Sequence, residues 1–167
     1  NIEAIYPLGP LQRAMLFHRQ ESESVDTGFL QVRFTLRGRL DVSAFEDAWQ
    51  QIVRHHPALR MSVHTPNQEQ PLGVVWRSVD IPWTHEDARS LSNTEPNQRI
   101  EAYCLRDRRQ QLDLSKAPVM RLARIQSDDD QHHIIWTCHH ILLDGWSASV
   151  VLQQVLATYN AIRSGAD

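Results

Sequence analysis

The chain has 167 residues, enough for one domain with a real hydrophobic core. Hydrophobic residues make up 41% of it and charged residues 22%, ordinary values for a soluble globular domain. The formal net charge of −3 offers no electrostatic footing for nucleic acid or an anionic membrane, and no apolar run approaches the roughly 20 residues that span a bilayer.

The sequence opens at Asn1 rather than Met and shows no signal peptide, as a piece of a longer protein would. The first predicted element is a helix from Pro10 to Glu21, with Pro10 in the first turn. Leu11, Met15 and His18 form its stripe, widened by Ala14, Leu16 and Phe17. A strand is predicted from Phe29 to Arg37, with Leu30, Val32, Phe34 and Leu36 facing the core. Ser43 and Glu46 read as a capping box opening a helix that runs to His55, its stripe made by Phe45, Ala48, Trp49, Ile52 and Val53. Pro57 breaks the chain, and Leu59 to His64 reads as a strand. Residues 66–71 read as a turn, and Leu72 to Trp76 as the hairpin partner.

Ile81-Pro82-Trp83 reads as a short edge strand, where proline is tolerated. Pro96 to Leu112 reads as a charged amphipathic helix with Ile100, Tyr103, Cys104 and Leu112 inward. Asp113 to Pro118 is a connector, followed by strands Val119–Ile125 and His132–Cys138. A last helix runs from Trp146 to Arg163, with Val151, Val155, Tyr159 and Ile162 on one line and Gly165 ending it. The alternation of helices and strands predicts an α/β fold: a two-layer sandwich of mixed β-sheet with helices on one face. Cys104 and Cys138 are too few for a disulfide framework or a zinc pattern and read as reduced core thiols, in keeping with a cytoplasmic protein.

The densest chemical signal is the stretch His139-His140-Ile141-Leu142-Leu143-Asp144-Gly145-Trp146-Ser147, where a strand meets a loop. An acyl transfer to an amine needs a group that orients or deprotonates the nucleophile and donors that stabilise the oxyanion. A histidine suits the first task. Because side chains alternate along a strand, one of the pair His139/His140 should face a cleft and the other pack inside. Asp144 reads as a buried hinge paired with an arginine, and Gly145 as the residue that permits a tight turn. The bland alternative is a structural pair, which is how His132-His133 in the same strand reads. A metal site is a further alternative, but His140 and Asp144 lack a third ligand nearby in sequence. Ser147 lacks a nucleophile elbow and reads as a helix-capping residue.

This stretch resembles the His-His-x-x-x-Asp-Gly motif of nonribosomal peptide synthetase condensation domains. Tyr6-Pro7-Leu8-Gly9-Pro10-Leu11-Gln12-Arg13-Ala14-Met15-Leu16-Phe17-His18 resembles the opening motif of that family, and His55-His56-Pro57-Ala58-Leu59-Arg60 its Arg-His-x-x-Leu-Arg motif. Three motifs in order are far more specific than one. The resemblance spans residues 1–167 and implies the N-terminal subdomain of a condensation domain, with a chloramphenicol-acetyltransferase-like fold and the C-terminal subdomain absent. The implied activity is amide-bond formation between a carrier-bound donor thioester and a carrier-bound acceptor amino acid. His140 is then the catalytic histidine, and His139, Asp144, Gly145, Trp146 and Arg60 are supporting residues. Gly145 is expected to offer its backbone N–H near the oxyanion.

His55 stands where the family has its first arginine, Arg54 lies one place too early, and Arg60 is retained. Arg60 and Arg121 are thus the candidate partners of Asp144, and the loss of that pair is expected to harm folding more than chemistry. The resemblance implies no cofactor bound by this chain, since substrates ride on phosphopantetheine arms of partner carrier domains. The implied partners are upstream and downstream peptidyl carrier domains, the C-terminal condensation subdomain and an adenylation domain, with no nucleic acid and no membrane. The wording of the motifs is similar to domains that join a D-residue donor to an L-acceptor. Trp146 argues against an epimerization domain, and the single His18 against a dual epimerizing-condensing one. Two other readings compete: a coenzyme A-dependent acyltransferase, which fits the opening motif less well, and a non-catalytic docking module, which the intact His139/His140/Asp144/Gly145 set disfavours.

Overall fold

The computed structural model describes residues 1–21, 28–66, 70–89 and 96–165. Their order is β1 (Ile2–Pro7), α1 (Pro10–Glu21), β2 (Phe29–Arg37), α2 (Val42–His55), a 3-10 turn (Pro57–Arg60), β3 (Met61–His64), β4 (Leu72–Trp76), β5 (Trp83–Asp87), α3 (Pro96–Arg108), β6 (Met120–Asp128), β7 (Gln131–His139) and α4 (Gly145–Ser164). Among the described residues the strands form a three-stranded sheet, β1-β4-β3, and a four-stranded sheet, β2-β7-β6-β5. Only the β5–β6 pair of the larger sheet is parallel, so the sheet is mixed as expected.

The larger sheet positions the site, and its faces follow from strand alternation. Leu30, Val32 and Phe34 of β2 lie opposite Cys138, Trp136 and Ile134 of β7, and Met120 and Leu122 of β6 continue the same face. Against it pack Phe45, Ala48, Trp49 and Val53 of α2 and Val151, Val155 and Tyr159 of α4, all buried. The rings of Trp49 and Trp136 meet edge to face with centroids 5.0 Å apart, and those of Phe45 and Tyr159 at 5.5 Å. Such pairs add about 0.5–1.5 kcal/mol beyond the area they bury. The Tyr159 hydroxyl accepts from the Asp41 backbone N–H at 3.1 Å, joining the end of α4 to the start of α2.

The opposite face is also covered. Ile100 and Tyr103 of α3 pack on Ala123, Ile125 and Ile135. The expectation of helices on one face is therefore corrected: α3 lies across the sheet from α2 and α4. The device that holds it there leaves no pattern in the sequence. Buried Asp107 near the end of α3 accepts from Arg121 Nε at 2.6 Å, Thr137 Oγ1 at 2.6 Å and Gln31 Nε2 at 2.9 Å. One carboxylate thus ties α3 to β2, β6 and β7, and three donors offset the cost of burying its charge.

Other boundaries moved for local reasons. The N-cap of α2 is Asp41, whose side chain accepts from the Ala44 N–H at 3.1 Å, rather than Ser43. Pro57–Arg60 forms a 3-10 turn before β3 begins. The edge strand β5 starts at Trp83, leaving Ile81 buried ahead of it. β1 was not foreseen. All its residues are exposed and its register with β4 shifts between Ile2 and Ala4, so it shows no two-residue period. Gly165 ends α4 at φ 67°, a left-handed cap that glycine takes without strain. Cys104 and Cys138 are free thiols, and burial pushes the Cys138 pKa up to about 12. No helix among the described residues is long and apolar enough to cross a membrane.

His132 and His133 are both buried in β7, and His133 bonds Thr35 Oγ1 at 3.0 Å and Ser127 Oγ at 2.9 Å. Burial, then neighbouring positive charge, lowers both pKa values from the ordinary 6.5. A histidine whose folded pKa is depressed contributes stability above its unfolded pKa and loses it as pH falls toward the folded value. The thermal midpoint is therefore expected to decline once pH drops below about 6.5. Replacing both imidazoles by glutamine should make that decline shallower, and an unchanged slope in a melting series would refute the assignment.

Candidate active site

The nonapeptide leaves the sheet at the end of β7, whose residues from His132 onward are all buried. Strand alternation then separates the two histidines. His139 is buried, with 1% of its surface exposed, while His140 is half-buried. The His140 backbone N–H donates to the Gly28 carbonyl at 2.6 Å, which continues the β2–β7 ladder by one bond beyond the strand. Glycine at position 28 has a steric reason: a Cβ there would overlap the His139 ring.

The loop is held by both apolar burial and hydrogen bonds. Ile141, Leu142 and Leu143 are buried in the same core cluster as the inward residues of α2 and α4. Each contributes about 1.5–3 kcal/mol by leaving water. The Ile141 N–H donates to His139 Nδ1 at 3.0 Å, and the Leu142 N–H to the His139 carbonyl at 3.0 Å. The Ile141 carbonyl accepts from Gln12 Nε2 of α1 at 2.9 Å. The His140 ring turns back on the loop, with Nδ1 3.3 Å from the Leu143 carbonyl. A carbonyl only accepts, so Nδ1 carries the hydrogen and Nε2 keeps its lone pair in the neutral ring.

Asp144 departs from expectation. It is exposed, and its carboxylate caps α4 by accepting from the Ser147 N–H at 2.7 Å. That bond, backed by the Ser147 side chain, lowers its pKa. Neither candidate arginine reaches it. Buried Arg60 donates to Glu3 at 2.7 Å and to the Trp76 carbonyl, tying β1 to β4, while Arg121 is held by Asp107. The pair is what the buried-hinge reading and the family resemblance imply, but at a helix start a carboxylate finds backbone N–H groups within reach. Ser147 is likewise not the cap but the residue whose amide is capped.

A Cβ at Gly145 would meet nothing within 4 Å, and its φ is not left-handed. The turn does not require glycine, and the position a side chain would take is open space. Trp146 is 82% exposed. Together with His56, Leu59, Leu142 and Leu143 it lines an apolar cavity of about 270 Å³ beside the loop. His56 is fixed by Gln154 Oε1 at 2.5 Å, so the second motif packs against α4 next to the first. Among the described residues no three His, Cys, Asp or Glu side chains gather in a way that could hold a metal ion. The side chain of His18 lies outside the described residues.

Structure therefore brings the histidine motif, the second motif and Gln12 of the opening motif into one neighbourhood, and places Arg60 elsewhere. Gln12 and Gly28 were not singled out from sequence. Gln12 had a readable signal, since it is the third helical residue after Gly9 and thus in capping-box position. Gly28 had none, because the ring it makes room for is more than a hundred residues away.

Asp144→Ala removes a cap and is expected to lower the thermal midpoint by about 2–4 °C, whereas Asp144→Asn, which still caps, should melt near the parent. A collapse of folding in either variant would point to a buried pair instead.

Residues 2–167 match the condensation domain family. A linear gramicidin synthase of Brevibacillus parabrevis is 37% identical over 167 residues, which is 100% of this chain and 2% of that protein. Bacitracin synthase 1 of Bacillus licheniformis is 34% identical over 165 residues, 99% of this chain and 3% of that protein. Among solved structures, the first condensation domain of the calcium-dependent antibiotic synthetase, in complex with a substrate analogue, superposes with a TM-score of 0.88 at 18% identity, covering 99% of this chain and 39% of that one. The starter condensation domain of rhizomide synthetase gives 0.87 at 19% identity, covering 99% and 40%. The α/β fold is thus the chloramphenicol-acetyltransferase-like fold of these domains, of which this chain spans a minor part of the length. On its match from residue 2 to residue 167, the chain belongs to the condensation domain family.

Proposed function

We propose that this chain is the active-site-bearing half of a condensation domain that forms peptide bonds between carrier-bound substrates in nonribosomal peptide synthesis. The observation that carries the reading is His140 on a rigid loop, with Nδ1 committed to the Leu143 carbonyl and Nε2 left available on a half-exposed ring. In that reaction the acceptor amine attacks the donor thioester carbonyl. A C–N bond forms, the carbonyl electrons move onto oxygen, and on collapse the C–S bond breaks. His140 Nε2 orients the amine, takes the proton it loses and passes it to the leaving sulfur. The amides of Gly145 and Trp146 open α4 without helical carbonyls to meet, and the bare Gly145 lets an oxyanion approach them.

Within this reading His139 orders the loop, Asp144 holds the helix start, and Trp146 lines the apolar cavity beside the loop. Arg60 supports the small sheet. The share of the solved domains that the chain spans supports a facing C-terminal subdomain as the other wall. Substrates arrive on the phosphopantetheine arms of upstream and downstream carrier domains, with an adenylation domain in the same synthetase, and the setting is cytoplasmic. The motif wording supports a D-residue donor and an L-acceptor.

In the intact synthetase, His140→Ala should lower the rate of condensation by at least about 100-fold, the scale of lost acid–base catalysis. Retained activity would sink the role given to this histidine. Residues 1–167 alone, mixed with loaded donor and acceptor carriers, should yield no dipeptide; robust product would show that the site needs no second wall.

A further inference from the structure

Gln12 uses both ends of one side-chain amide. Its Oε1 accepts from the Gly9 N–H at 3.0 Å, which caps the first turn of α1. Its Nε2 donates to the Ile141 carbonyl at 2.9 Å, across 129 residues of sequence. The Ile141 carbonyl and the Leu142 N–H belong to one peptide unit, and that N–H donates to the His139 carbonyl at 3.0 Å. The peptide plane is therefore clamped from both sides, on one by the loop itself and on the other by Gln12. Orientation of this plane sets where Leu143 begins, and the Leu143 carbonyl holds His140 Nδ1 at 3.3 Å.

We infer that Gln12 is a positioning residue for His140, acting through the Ile141–Leu142 peptide. This rests on the reading of His140 as the reacting histidine. It also gives a physical reason for the opening motif to accompany the histidine motif: α1 supplies the bracket for the loop. Apolar burial of Ile141 alone fixes the depth of the loop but not the rotation of its peptide planes, because packing is non-directional while a hydrogen bond is aimed.

Gln12→Glu separates the two bonds. Glutamate still accepts from the Gly9 N–H, yet cannot donate to the Ile141 carbonyl and sets a carboxylate oxygen against it. Gln12→Ala removes both bonds. Each variant is measured in the intact synthetase for kcat and KM with the carrier-loaded acceptor. His140 is also probed by diethyl pyrocarbonate, with modification read by peptide mass spectrometry against His85 as an internal reference.

The expected result for Gln12→Glu is a kcat loss of about 10–100-fold with KM little changed, the scale of a misplaced catalytic group. His140 should also be modified faster, at both ring nitrogens, while His85 is unaffected and the thermal midpoint is close to the parent's. Gln12→Ala should lose at least as much kcat. Parental kcat in Gln12→Glu, unchanged modification of His140, or a loss that appears only with global unfolding overturns the inference. So does a Gln12→Ala variant that stays active, since carboxylate repulsion would then explain the glutamate result. Failure of the underlying reading is distinct: His140→Ala would itself retain activity.

Discussion

The site depends on one constraint: the loop that follows β7 must stay in place while presenting a polar ring toward water. β7 lies between β2 and β6 and is buried along nearly its whole length, so it is a stiff base. The chain leaves it through Ile141, Leu142 and Leu143, which enter the core cluster that α2 and α4 also build. Three successive apolar residues with no regular structure would strand their backbone groups in a low-dielectric interior. The loop meets this need by turning its own groups, His139 among them, into partners, and by taking one donor from α1. His140 remains as the polar residue whose side chain stands at the boundary.

That arrangement divides the labour within the motif. His139 acts as an internal strut whose ring occupies the space that Gly28 vacates. Asp144 starts the helix rather than neutralising a buried arginine. The charge pair expected of it exists elsewhere in two separate forms. Arg60 braces the small sheet through Glu3 and the Trp76 carbonyl, and Asp107 with Arg121 fastens α3 to the larger sheet. Each arginine pairs with a carboxylate already near it, Arg60 from the 3-10 turn and Arg121 from β6.

The covered sheet faces explain why the loop can be held by so few residues. With α2 and α4 on one side and α3 on the other, the larger sheet is a rigid slab. A loop at the end of its central strand inherits that rigidity, whereas α1 and Trp146 show much apolar surface. Leu11, Phe17 and Trp146 are all more than half exposed. A second subdomain, as proposed, would cover surface of this kind.

Local sequence was sufficient for much of this. The periods of two and 3.6 placed β2, α2, α4 and the β6–β7 pair, because each buries a full face and so leaves a visible stripe. The motif at 139–147 was legible as chemistry, and alternation alone separated its two histidines. Tertiary structure decided what depends on residues far apart. It paired exposed β1 with β4, set α3 on the opposite face through Asp107, sent Arg60 and Arg121 away from Asp144, and brought Gln12 to Ile141. Those outcomes hinge on which donors and acceptors meet in space, and hydrogen bonds and ion pairs over such separations leave no period in the sequence from which to read them.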